Sequence, residues 1–163
     1  MNKTWILFVI VLLTALFGTA QDNVDVMGRF VIMDATMDGK DITSQLLSKN
    51  AFLAFYQYKG DKEIYFANVW PKADSYSNGI IYNLTLDTPF YDRDGYNNQR
   101  LTFYWKYWNS YNADQGNASV EMKIIKKPQG NHFIIKIIPE DLEILIYKGF
   151  VEGSLDLDVY QKN

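Results

Sequence analysis

The chain has 163 residues, with 16 Lys and Arg against 19 Asp and Glu, one histidine and no cysteine. A mildly acidic balance with both signs interspersed argues against nucleic acid or an anionic membrane surface as the main partner. The lack of thiols excludes disulfide staples, thiolate metal sites and cysteine nucleophiles, so stability must come from core burial.

Residues 1–20 have the layout of a cleaved secretory signal peptide. Lys3 lies in a short leading region, residues 5–17 are uncharged and apolar, and Gly18, Thr19 and Ala20 supply small side chains ahead of Gln21. The apolar run falls short of the roughly 20 residues a spanning helix needs. The expectation is a secreted or periplasmic protein with no membrane span after signal cleavage, residues 21–163 forming one domain.

Residues 27–36 (M-G-R-F-V-I-M-D-A-T) read as a first strand, with Phe30 and Ile32 on one side and Val31 and Met33 on the other. Asp38-Gly39 signals a turn. Asp41 then suits a helix N-cap, and 42–49 carries Ile42, Leu46 and Leu47 at helical spacing. Two such turns cannot stand alone and must lie on something. Segments 51–58 and 63–70 flank the turn Lys59-Gly60-Asp61-Lys62 as a hairpin, and both are apolar on each face.

Segment 79–86 alternates, with Ile80, Tyr82, Leu84 and Leu86 on one side. Residues 87–98 form a loop. Segment 99–111 (Q-R-L-T-F-Y-W-K-Y-W-N-S-Y) is the strongest strand, with Leu101, Phe103, Trp105 and Tyr107 facing one way and Thr102, Tyr104, Lys106 and Trp108 the other. Strands follow over 118–127, 132–138, 143–151 and 154–160, the last alternating strictly.

About nine strands in succession, joined by hairpin-length turns, predict an all-β antiparallel meander. A barrel with one short helix after the first strand is expected, and a two-sheet sandwich is the alternative. In the barrel, segment 154–160 would close against the first strand.

Catalytic groups are scarce. His132 is the sole histidine, no G-x-S-x-G elbow presents a serine, and no thiol exists. No enzyme activity, cofactor or catalytic residue is expected. Asp87, Asp92, Asp94, Asn97 and Asn98 share the 87–98 loop, and hard cations such as Ca²⁺ take several oxygen ligands. The spacing does not match an EF-hand, and Asp, Asn and Gly are also ordinary turn residues.

The aromatic surplus of 12 Tyr, 10 Phe and 4 Trp is the main functional signal. An eight-to-ten-strand barrel has an interior that takes one small ligand. With the more apolar face of each strand inward, Phe66, Tyr82, Phe103 and Trp105 would line an aromatic cavity for a small hydrophobic molecule. The alternative is an extracellular interaction module, with Tyr104, Trp108 and Trp70 as an exposed platform for a glycan or protein partner.

Gly28-Arg29-Phe30, early in the first strand, resembles the G-x-W motif of the lipocalins and related calycin-type β-barrels. Phenylalanine stands where that motif has tryptophan, no Thr-Asp-Tyr motif follows, and no arginine lies near the last strand. The early helix is similar in position to that of fatty-acid-binding proteins. The resemblance implies carriage of a small apolar molecule.

Overall fold

A computed structural model describes residues 23–141 and 143–153. The expected signal segment and the expected strand at 154–160 lie outside the described residues. Among the described residues ten strands occur in chain order: β1 (Val24–Met37), β2 (Lys40–Asp41), β3 (Phe52–Tyr58), β4 (Tyr65–Trp70), β5 (Ser75–Leu86), β6 (Phe90–Tyr91), β7 (Asn97–Asn109), β8 (Asp114–Lys127), β9 (Gly130–Pro139) and β10 (Leu145–Glu152). One helix, α1 (Thr43–Ser48), follows β2.

Eight of these strands close into an antiparallel barrel in the order β10-β9-β8-β7-β5-β4-β3-β1, with β10 paired back to β1. Closure leaves no second sheet among the described residues, so the sandwich is set aside. In architecture the barrel is calycin-like. The two-residue strands β2 and β6 add onto β1 and β7. Among the described residues the closing partner of β1 is β10.

β1 makes closure possible by being long and twice interrupted. Its first half pairs with β3 and its second half with β10, the two overlapping at Arg29–Val31. Register shifts between Val26 and Gly28 and between Ile32 and Asp34 are the bulges that bend it from one neighbour to the other. At this seam a Cβ on Gly149 would lie 1.8 Å from the Val31 carbonyl oxygen, so only glycine lets β10 come this close.

The barrel interior is filled with rings. Phe133 meets Phe30 edge-on at 5.2 Å, Phe30 meets Phe55 at 5.6 Å, and Phe55 meets Phe66 at 4.9 Å. Phe66 then touches Trp105 at 4.9 Å, and Trp105 lies 4.3 Å from Tyr107. Each such side chain contributes roughly 1.5–3 kcal/mol through burial, with a smaller increment from ring geometry.

β3 and β4 also bury their outer faces. Phe52, Ala54, Tyr56, Ala67 and Val69 form a second cluster outside the barrel, which accounts for two strands apolar on both sides. The Arg29 guanidinium sits 4.8 Å over the Phe52 ring and also pairs with Glu152, linking this cluster to the seam.

Candidate functional site

One end of the barrel carries α1, the 71–74 connection, the 110–113 turn and the residues Glu143 and Ile144 that lead into β10. α1 is held there through β1. The Thr43 hydroxyl, and then the Thr43 N–H, which donates to Asp41 Oδ1 at 2.8 Å, hold the Asp41 carboxyl below its ordinary value. Thr43 Oγ1 accepts the Ala35 N–H at 2.9 Å, and the Ile42 N–H bonds to the Ala35 carbonyl at 3.0 Å. The N-cap is Ile42, which makes no side-chain cap bond, rather than the expected Asp41; Asp41 stands one residue earlier and its carboxylate accepts the first helical N–H. Leu46 is the helix's buried residue, and Ile42 packs beside it on the barrel core.

The rim is stitched across strands. The Tyr76 N–H donates to Ser110 Oγ and the Ser110 N–H to the Tyr76 carbonyl, both at 2.9 Å. The Lys72 N–H donates to the Lys49 carbonyl at 3.1 Å, joining the 71–74 connection to the residue after α1. The Asp38 N–H bonds to the Ile144 carbonyl at 2.9 Å, and the Ile144 N–H returns to Asp38 Oδ1 at 2.8 Å.

Inside this rim is an open cavity of about 480 Å³. Met37, Trp70, Ala73, Tyr76, Tyr111 and Leu145 supply apolar wall, while Lys49 and Glu143 bring one charge of each sign. Asn68 is the polar group that reaches deepest. Its Nδ2 donates to the Tyr147 hydroxyl at 3.1 Å, and its Oδ1 accepts the Trp70 indole N–H at 3.0 Å. Tyr147 is fully buried, and burial pushes its phenol well above the usual tyrosine range.

A second, smaller cavity of about 240 Å³ opens at the same end, lined by Tyr107, Asn109, Asn112, Asp114, Gln115, Gly116, Asn117, Glu140 and Asp141. Asn109 borders both cavities. Burial, then the Asp141 and Glu140 carboxylates, push the Tyr107 phenol up from its ordinary value.

The four residues expected to line a cavity are divided. Phe66, Phe103 and Trp105 face inward at 0–2% exposure, and their rings fill the barrel centre by packing on one another. Tyr82 lies on the outer surface, 44% exposed, stacked on Tyr104 at 5.5 Å. The reason is a bulge: pairing with β7 shifts between Tyr82 and Thr85, and Asn83 takes φ 53. Ile81 and Leu84 therefore pack inward while Tyr82, between Ile81 and the bulge, points out.

The expected platform also separates. Tyr104 and Trp108 are exposed on the outer face of β7, but Trp70 belongs to the larger cavity. Asp92, the candidate calcium ligand, accepts the Asp94 and Tyr96 N–H groups at 3.1 and 2.9 Å and Asn98 Nδ2 at 3.0 Å. Its carboxylate is committed to closing its own loop. Among the described residues, no group of three or more His, Cys, Asp or Glu side chains is arranged to hold a metal. His132 stands in β9 opposite Ile125 and Phe150.

Sequence reasoning missed Asn68, Tyr76 and Leu145 because each lies near a strand end, where alternation carries least information. The one available signal was Asn68 itself, a polar residue inside an apolar strand.

No protein-family model, curated protein or solved structure matches this chain. Fold and site together define a class: a closed antiparallel barrel with a mostly apolar cavity at one mouth.

Proposed function

We propose that this protein is an exported, non-enzymatic, lipocalin-like binding protein that holds one small, largely apolar molecule at the α1 end of its barrel. The observation that carries this reading is the cavity of about 480 Å³ with Asn68 at its inner end. Ligand pockets commonly span roughly 300–1,000 Å³, mostly apolar with a few placed polar groups. The rim bonds hold the opening in shape before anything binds, which lowers the ordering cost of association. The ligand would rest on Trp70, Tyr76, Met37 and Leu145, outside the plug made by Phe66, Phe103 and Trp105.

Titration with the neutral fluorophore N-phenylnaphthylamine tests this. Saturable binding at one site is expected, weakened about tenfold or more by Trp70→Ala and unchanged by Trp108→Ala. Loss on Trp108→Ala with Trp70→Ala intact would contradict it and favour the second reading, a glycan or protein platform on the outer face. That reading draws on the stacked pair Tyr82 and Tyr104, whose rings lie 22° from parallel and stay exposed.

A further inference from the structure

A polar strip crosses the floor of the larger cavity. Asn68 of β4 pairs with Ser77 of β5, and Ser77 with Asn109 of β7, so the three side chains stand side by side on one face of the sheet. All three line the cavity. One row further in, Phe66, Gly79 and Tyr107 pair in the same way, and the two rings belong to the packed core. The strip therefore lies where the open mouth gives way to the filled interior.

Hydrogen-bond capacity along the strip is weighted toward donors. Asn68 engages Oδ1 with the Trp70 indole N–H and one Nδ2 hydrogen with Tyr147, which leaves its second amide hydrogen unengaged among the described residues. Asn109 Oδ1 accepts the Tyr111 N–H at 2.9 Å, so Nδ2 remains as a donor, and Ser77 adds a hydroxyl. Trp105 stands one row deeper still, its ring 4.9 Å from Phe66 and 4.3 Å from Tyr107. It is 2% exposed, and its indole N–H has no partner among the described residues. Buried polar groups normally have partners, so the open demand at this end of the core is for an acceptor.

Resting on the carrier reading of this cavity, we propose that its ligand is a neutral apolar molecule with one carbonyl group, a ketone or ester whose oxygen accepts hydrogen bonds from the Asn68–Ser77–Asn109 strip. The two charges of the lining, Lys49 and Glu143, are opposite in sign, so the walls favour neither an anion nor a cation. A carboxylate at the floor would lie against amides and a hydroxyl without a paired cation, a costly way to bury a charge. An ammonium or an alcohol would add donors where donors are already in surplus. A pure hydrocarbon would take water from the strip and leave its donors unpaired.

Displacement of N-phenylnaphthylamine from the full chain by 2-acetylnaphthalene, 2-ethylnaphthalene and 2-naphthoate, molecules of one shape, tests this. The ketone is expected to bind about tenfold tighter than either of the others, although the ethyl compound is the more apolar. Its carbonyl ¹³C resonance should move downfield on binding, as hydrogen bonding to the oxygen requires. Asn68→Leu should abolish the preference for ketone over hydrocarbon. Ser77→Ala leaves the Asn68 bonds in place and should reduce the preference a fewfold, so it carries the test if Asn68→Leu disturbs folding. The proposal is overturned by equal or tighter binding of 2-ethylnaphthalene or 2-naphthoate, by an unmoved carbonyl resonance, or by an unchanged preference in both variants. Fluorophore binding without a ketone preference sinks this inference and leaves the carrier reading standing. Failure of the fluorophore and all of the naphthalenes to bind removes both.

Discussion

Asn68 and Tyr147, 79 positions apart in the chain, meet inside the barrel through a 3.1 Å hydrogen bond from the amide to a fully buried phenol. The bond joins β4 to β10, strands separated by β3 and β1 in the barrel order. Tyr147→Phe should cost about 1–2 kcal/mol by urea denaturation, because a buried amide donor is left unmet. Asn68→Leu with Tyr147→Phe should cost less than the sum of the two single changes. Strict additivity would show that the bond contributes nothing specific.

Barrel closure depends on the close approach at Gly149. Gly149→Ala puts a methyl group against the Val31 carbonyl and should destabilise by about 1–3 kcal/mol or more, the range for overpacking. A loss below about 0.5 kcal/mol, the scale of ordinary surface changes, would mean that the seam is looser than described.

Position on either side of the barrel wall sets the cost of losing an aromatic ring. Phe66→Ala should cost about 3–5 kcal/mol, the usual penalty for emptying a packed aromatic site. Tyr82→Ala should cost under about 1 kcal/mol, since only the exposed stack on Tyr104 is lost. Equal costs would contradict the bulge at Asn83.

Alkaline unfolding should report the buried phenols. Burial first, then the hydrogen bond to Asp61, pushes Tyr65 from the ordinary 10.0 up to about 12, and burial raises Tyr56 further. A phenol whose folded pKa is raised favours folding fully below pH 10, and that contribution is lost as pH rises through the folded value. Stability should therefore hold to about pH 10 and fall steeply through pH 12. Tyrosinate absorbance should rise in two steps, exposed rings first and buried rings with unfolding. A single step near pH 10 in folded protein would contradict this burial.

Asp61 acts at the acid end. Its carboxylate accepts the Glu63 N–H at 3.0 Å, and that bond, with one from Tyr65, holds its pKa below 3.8. Its contribution is present above the ordinary carboxylate value and lost as pH falls through the lower folded one. Asp61→Asn should flatten this part of the acid limb, measured by acid titration of the tyrosine signal.

Legibility in the sequence follows local regularity. β7 was readable side chain by side chain because its alternation runs unbroken from Leu101 to Trp108, and every inward residue named there is buried. β5 was readable as a strand, and Leu84 and Leu86 pack inward as the alternation predicts. Ile80 and Tyr82 fall on the outer face instead, because the bulge at Asn83, in a left-handed conformation, shifts the phase in a way a period-two count does not register. The two-sided apolar pattern of β3 and β4 was visible, yet it came from a cluster outside the barrel rather than a ligand cavity inside. Closure by β10 was obscured because 154–160 alternates more cleanly, although β10 has Gly149 to admit β1. The mouth cavity could not be read at all, since its wall draws single residues from strands, helix and loops far apart in the chain.

The location of a bound lipophile tests the account most directly. Intermolecular nuclear Overhauser contacts from N-phenylnaphthylamine should reach the methyl groups of Met37 and Leu145 and the Trp70 ring. Contacts instead to Phe103 and Val120 in the barrel centre, or to Tyr82 and Tyr104 on its outside, would contradict a ligand held at the mouth.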